Sequence, residues 1–316
     1  MIGLKIYYHK NMKEFSPISS EMLFLKEKIF SPECHVFFDV DGTIKGSSTP
    51  EAPTGFNPKL PSLLARLNKI PGISVGACTS QSSQELYSYL LKMDPKMGGH
   101  LMDGLSILED GHILVSAGIN MLTDYIELVS PGAKAQISIL KVELKKHWAP
   151  AQESHLASDG WGYFPDVPTP VAIPEGKYQG VVTMSVWERG PNVHDPDYHG
   201  EYEQIALFVH QLIKELNLDS IEPKEAGNGT LRIVEKGKSK ESALATLANK
   251  GVIDLKNTVY VGDGLNDVES AELISDAGGG VIAVANAISE LKQKATCVSK
   301  EAASHGVVEM LELILN

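Results

Sequence analysis

The chain has 316 residues, 43% hydrophobic and 22% charged, an ordinary globular composition with room for one large domain or two medium ones. Its net charge of −12, with no basic patch, speaks against nucleic-acid partners, although a bound metal can reverse the sign locally. No apolar run is long enough to span a bilayer, no signal region opens the chain, and Cys34, Cys78 and Cys297 form no CxxC pair, so a cytoplasmic protein with buried thiols and no membrane partner is expected.

Residues 1–33 read as an N-terminal extension of unassigned role, with an edge strand over 4–8 and a short helix over 19–30 whose apolar contacts would be Leu23, Phe24 and Phe30. The extension offers a surface to a homodimer, though no feature demands one. Then comes His35-Val36-Phe37-Phe38-Asp39-Val40-Asp41-Gly42-Thr43, an apolar run without period-two alternation that ends in two acids. Such a run fits a parallel strand buried on both faces, and ligands of open α/β sheets bind at the carboxyl edge. Two carboxylates this close repel unless a cation or proton lies between them, which points to a magnesium site with a nucleophilic aspartate; an acidic surface turn is the plainer alternative.

A loop rich in turn-forming residues, up to Pro58, should lie over these acids. A helix is expected over 60–70 and a strand over 73–78. Thr79-Ser80 then precedes a helix over 84–91, where hydroxyls and free helix N–H groups would suit a phosphate, or simply form an N-cap. Residues 99–116 read as a hairpin about Asp110-Gly111.

From 117 the pattern changes. A helix is expected over 122–129, a break at Pro131-Gly132, and a strand or helix over 135–144. An aromatic stretch with Trp161, Tyr163 and Phe164 follows, then a strand over 181–187, a polar loop over 189–200, a helix over 203–216 and a strand after Asn228-Gly229. Helices over 242–249, 267–275, 287–294 and 307–315 then alternate with strands over 257–261, 281–284 and 296–298. The whole reads as α/β: a doubly wound parallel-sheet core formed by 34–116 and 233–316, with an inserted α+β cap domain over 117–232.

If the strands are parallel, Asp39/Asp41, Thr79 and Asp263/Asp267 share one edge. Mg2+ takes hard oxygen ligands, and Asp39 and Asp263 can offer carboxylates while Asp41 adds its backbone carbonyl. Nothing has the spacing of a zinc site.

Asp39-Val40-Asp41-Gly42-Thr43 resembles the DxDGT signature of the haloacid dehalogenase-like hydrolases. Gly262-Asp263-Gly264-Leu265-Asn266-Asp267 resembles their GDGxND motif, and Lys238-Ser239-Lys240-Glu241-Ser242-Ala243-Leu244 the segment with their essential lysine, here Lys240. Asn286-Ala287 and Ser304-His305-Gly306-Val307 resemble the C-terminal pattern of the large-capped sugar-phosphatase branch, which includes Cof-type, sucrose-phosphatase-like and mannosyl-3-phosphoglycerate-phosphatase-like proteins. The resemblance covers about 34–116 and 230–316.

It implies a Mg2+-dependent phosphomonoesterase for a small sugar phosphate or phosphorylated sugar acid. Asp39 would form an aspartyl-phosphate, and Asp41 would protonate the leaving oxygen and then activate water. Thr79 would bind a phosphoryl oxygen and Lys240 would neutralise charge. Asp263 would ligate the metal, with Asp267 either binding it, directly or through water, or orienting Lys240. Gly42, Thr43, Ser80 and Asn266 would line the phosphate side. Arg189 and His194 could bind a carboxylate or second phosphate from the cap, where a solvated loop is the plainer reading. One departure stands out: Thr79-Ser80-Gln81 replaces the Thr-Gly-Arg common among relatives with this cap, removing a cation near the mouth of the site. A phosphomutase using the same intermediate and a non-catalytic ligand sensor are the competing expectations.

Overall fold

The lack of alternation in the first core strand follows from its surroundings. Val36 and Phe38 enter one apolar cluster and Phe37 enters another, each residue 1% exposed, so the strand is covered on both faces. The computed structural model of the chain describes residues 19–46, 48, 50, 52–96, 100–115, 125–150, 152, 161–163, 171–172, 184–188, 202–225 and 230–316. The first elements are α1 (Ser20–Ile29), β1 (Cys34–Phe38), α2 (Leu60–Asn68), β2 (Ile73–Ala77), α3 (Ser83–Met93), β3 (Ser106–Leu108) and β4 (Ile113–Val115). The middle of the chain holds β5 (Ile126–Glu127), α4 (Pro131–His147), β6 (Ala149–Pro150), β7 (Trp161–Tyr163), β8 (Val171–Ala172), β9 (Met184–Glu188), α5 (Tyr202–Glu215), β10 (Ile221–Glu225) and β11 (Thr230–Glu235). The last part holds α6 (Lys240–Asn249), β12 (Thr258–Gly262), α7 (Val268–Asp276), β13 (Gly280–Ala283), α8 (Ser289–Lys294), β14 (Cys297–Val298) and α9 (Ala303–Leu315).

The core is a parallel sheet of order β14-β13-β12-β1-β2. Phe38 stands opposite Ala77 on one side and Val261 on the other, so the segments leaving β1, β2 and β12 emerge at one edge. Residues of α1, α2 and α9 cover the Phe38 face, and residues of α6, α7 and α8 cover the Phe37 face. A hairpin of β3 and β4, extended by β5, stands beside β2, where Cys78 bridges to Ile107. The inserted segment forms a separate antiparallel sheet of order β10-β11-β9-β8-β7-β6, with α4 and α5 against β10 and β11. No helix among the described residues is long and apolar enough to cross a membrane.

Some expected elements differ. In α1, Ser19 caps the helix as expected, accepting from the Met22 N–H at 3.3 Å, but the buried stripe is Met22, Leu25 and Ile29. Leu23 and Phe30 are 50% and 51% exposed. The helix lies on the core sheet: a Cβ on Gly280 of β13 would sit 2.8 Å from Leu25 Cδ2. The helix expected over 122–129 is a strand where it is described, because Ile126 and Glu127 pair with β4. Pro131-Gly132 starts a helix instead of breaking one. Ser130 accepts from the Ala133 N–H at 3.2 Å, and a proline in the first turn has no N–H to leave unsatisfied. β10 is a further strand that the sequence pattern does not announce; it contains Pro223, which an edge strand tolerates. Cys34 and Cys78 are buried, whereas Cys297 is only half-buried. The strand expected over 4–8 lies outside the described residues.

Candidate active site

Asp39 leaves the end of β1 with its N–H donating to Val261 O at 2.8 Å, which aims its side chain along the carboxyl edge. The residue is 6% exposed. Lys240 reaches it from the first turn of α6, where Ser239 and Ser242 form a reciprocal cap. Its Nζ donates to Asp39 Oδ1 and to Asp267 Oδ1, each at 2.7 Å, and the side chain is 1% exposed. Burial alone would lower the Lys240 pKa, but the Asp267 and Asp39 carboxylates outweigh it and hold the pKa well above the usual lysine value.

Asp267 anchors this pair. Its Oδ1 also accepts from the Tyr260 hydroxyl at 2.6 Å, and its Oδ2 accepts from the Asp263 and Gly264 N–H groups, both at 2.9 Å. Four donors on two oxygens use the normal acceptor capacity of a carboxylate. The geometry suits orientation of Lys240 better than an inner contact with a metal.

Asp263 lies on the open side of the cluster. Thr43 donates its hydroxyl to Asp263 Oδ1 at 2.7 Å, and Asn286 Nδ2 donates to Asp263 Oδ2 at 3.2 Å. Burial pushes the Asp263 carboxyl up to about 6, with Thr43 pulling it back and Asp267 adding to the rise. Asp39 is also held well above the ordinary aspartate value, by burial first, with Lys240 opposing and the carboxylates of Asp267 and Asp263 reinforcing. Asp39, Asp263 and Asp267 each offer an oxygen, all within 4.8 Å of one another. Three carboxylates around one ammonium are short of positive charge, and hard anionic oxygens at this spacing fit a divalent cation such as Mg2+.

Gly42 and Thr43 are both packed against Asp263. Gly42 has φ +83°, and a Cβ there would fall 2.1 Å from Asp263 Oδ2. Its N–H donates to Lys45 O at 2.7 Å, and its carbonyl accepts from Asn286 Nδ2 at 2.9 Å, so it shapes the turn and admits Asp263. Thr43 is fully buried, with its proton directed at Asp263.

Asp41 is exposed, and its carboxylate is gripped from two sides. Lys45 Nζ donates to Oδ1 at 2.7 Å and Gln81 Nε2 donates to Oδ2. Lys45 also lies over the Tyr89 ring, 4.2 Å from its centroid. Thr79 follows β2 and is 1% exposed; its Oγ1 accepts from the Gln81 N–H at 3.2 Å, which leaves the hydroxyl proton free to donate. The cap of α3 is Ser82, in a reciprocal pair with Glu85, so neither Thr79 nor Ser80 holds that position. Ser80 is half-buried between them, and Asn266 is exposed on the turn Leu265–Asp267. Arg189 and His194 lie outside the described residues, as does Phe164.

Sequence reasoning passed over Tyr260 and the Gln81 contact, and named Asn286 only as part of the C-terminal pattern, without a role at the site. Tyr260 reads as strand core, and only its hydroxyl reveals the link to Asp267. Asn286 follows β13 at the same sheet edge as the acids; its Oδ1 accepts from the Ala303 N–H at 2.7 Å, tying α9 to the site.

Residues 192–311 match the sequence model of a family described as haloacid dehalogenase-like hydrolase. Solved structures share the fold over most of their length. A HAD/COF-like hydrolase from Plasmodium vivax is 13% identical with a TM-score of 0.60, covering 92% of this chain and 99% of that one. A haloacid dehalogenase-like hydrolase from Bacteroides thetaiotaomicron is 16% identical with a TM-score of 0.56, covering 89% and 99%. A trehalose-6-phosphate phosphatase from Aspergillus fumigatus is 15% identical with a TM-score of 0.53, covering 93% and 96%. No curated protein sequence matches the chain.

Proposed function

We propose that this chain, a haloacid dehalogenase-like hydrolase by its fold, its motifs and the match over residues 192–311, is a Mg2+-dependent phosphomonoesterase acting on a small sugar phosphate or phosphorylated sugar acid. The observation that carries the reading is the buried Asp39 carboxylate at the end of β1, 2.7 Å from Lys240 and beside Asp263. That is a nucleophile with a fixed cation at its back and an acidic ligand set at its side. The similarity to a trehalose-6-phosphate phosphatase supports phosphoryl chemistry and leaves the substrate open.

Asp39 attacks phosphorus as the bond to the leaving oxygen breaks, so that the phosphoryl group passes to the carboxylate. Asp41, on the exposed side, gives a proton to the leaving oxygen and later takes one from the water that cleaves the acyl phosphate. The Thr79 hydroxyl donates to a phosphoryl oxygen. Lys240, kept charged between Asp39 and Asp267, offsets the negative charge that collects on the transferring group. The Asp39 and Asp263 carboxylates and the Asp41 carbonyl would hold Mg2+, which would supply further charge neutralisation. The inserted module selects the substrate and excludes water.

The test is a phosphate-release screen over phosphorylated metabolites, with Mg2+ and with chelator, on the native chain and on Asp39→Asn. Release that needs both Mg2+ and Asp39 is expected. Absence of release from every ester would favour ligand sensing, and interconversion of phosphosugars without release would favour a mutase.

A further inference from the structure

Beside the phosphoryl site stands a buried cation with an unmatched donor. Arg232, in β11, is 9% exposed, and its buried Nε has no hydrogen-bond partner among the described residues. The acid it faces is Asp110, whose Oδ2 lies 3.6 Å from that Nε, beyond a proper hydrogen bond. A buried donor left unmatched costs free energy, and a guanidinium carries five of them in a fork that fits carboxylate or phosphate oxygens in pairs.

Its neighbours define the place. Asp110 is at the tip of the β3–β4 hairpin, and its N–H donates to Thr79 O at 3.3 Å, while the adjacent Glu109 N–H donates to Gln81 O at 3.1 Å. The same tip presses on the start of α6, where a Cβ on Gly111 would lie 2.3 Å from Ser239 O. Arg232 therefore contacts the turn that braces both the Thr79 loop and the Lys240 helix. Among the described residues, the other cations at the site are engaged: Lys240 by Asp39 and Asp267, and Lys45 by Asp41.

We infer that Arg232 is a specificity-determining residue that binds a second oxyanion group, carboxylate or phosphate, on the substrate's leaving portion; this rests on the phosphatase reading. Asp110 holds the guanidinium at a weak pairing distance and releases it to a better-placed oxyanion.

The test measures binding by calorimetry to the full chain carrying Asp39→Asn, which holds esters without turnover. Two matched pairs serve as probes: 3-phosphoglycerate against glycerol 3-phosphate, and glucose 1,6-bisphosphate against glucose 6-phosphate. The member with the second oxyanion should bind more tightly in at least one pair. Arg232→Met should weaken that ester about tenfold and its plain partner less than about twofold, with Arg232→Lys keeping part of the preference. Asp110→Asn, which suits the backbone φ of 54°, should tighten the preferred ester by removing the competing carboxylate, whereas a purely structural contact would lower the melting temperature without that gain. No preference in either pair, no binding at all, equal weakening of both members in Arg232→Met, or a failure of Asp110→Asn to tighten binding overturns the inference. Should Arg232→Met not fold, Arg232→Lys and Asp110→Asn decide it. Failure of the phosphatase reading shows separately, as no phosphate release from any of the four esters when Asp39 is intact.

Discussion

At Lys240 one ammonium serves two buried carboxylates, each 2.7 Å away, and Tyr260 closes the far side of Asp267 at 2.6 Å. Lys240→Met would leave Asp39 and Asp267 facing each other without their cation. Removing one partner of a buried pair costs about 3–5 kcal/mol, so a loss of that order is expected in denaturant unfolding with chelator present. Phosphate release should fall roughly 10²–10³-fold with it. Asp263 gives a pH dependence whose sign follows from its raised pKa. Between the ordinary value of 3.8 and the folded value of about 6, the folded chain binds more protons here than the unfolded chain. The contribution of this group to stability therefore falls as pH rises through that window in chelated protein. Mg2+ binds the ionised form, so the gain in melting temperature on adding Mg2+ should grow from about pH 4 to 7 and then level off. A gain independent of pH would count against Asp263 as a ligand.

At the scale of elements, Gly42 and the α6 cap are the points where small changes reach the site. Gly42→Ala places a methyl 2.1 Å from Asp263 Oδ2 at a φ of +83°, so the turn or the aspartate must move. Activity should drop at least about tenfold and the Mg2+ requirement should rise, read as a larger half-saturating Mg2+ concentration. Ser239→Ala removes a cap worth about 1 kcal/mol, and because Lys240 is the next residue, the loss should appear in turnover as well as in melting. Both sites lie in segments the sequence made legible. An apolar run ending in DxDGT, a lysine at the start of a helix, and acids after a strand each follow from local chemistry and sheet-edge geometry. Less was legible where the answer depended on distant partners. Residues 126–127 are extended only because β4 offers an open edge, and the buried stripe of α1 is set by the sheet it covers. Pro131 pointed in the wrong direction, since a helix start tolerates proline.

Across the whole molecule, the two passages between the core and the inserted module are tied together at His112 and Glu235. The Glu235 N–H donates to His112 Nε2 at 3.0 Å, His112 Nδ1 lies 2.5 Å from Glu109 O, and the Glu235 carboxylate accepts from the Ser130 N–H at 3.0 Å. His112 is therefore held neutral with its proton on Nδ1, and burial lowers its pKa, with the Glu109 carbonyl, Asp110 and Glu235 opposing and Lys238 assisting. The unfolded chain then takes up a proton that the folded chain refuses, so stability from this group is present above about pH 6.5 and is lost as pH falls below it. His112→Gln should flatten the fall in melting temperature between about pH 6.5 and 5 relative to the native chain, and an unchanged slope would show that the tie does not titrate. The placement of β1 also bears on how the protein is made. Its partner β12 pairs His35 with Thr258, so on the ribosome Phe37 and Phe38 wait for a strand synthesised roughly 220 residues later. At about 5–20 residues per second that is an interval of roughly 10–40 s with the nascent core sheet open on its β12 side, during which β1 is a natural target for a chaperone and its unpaired edge a route to aggregation.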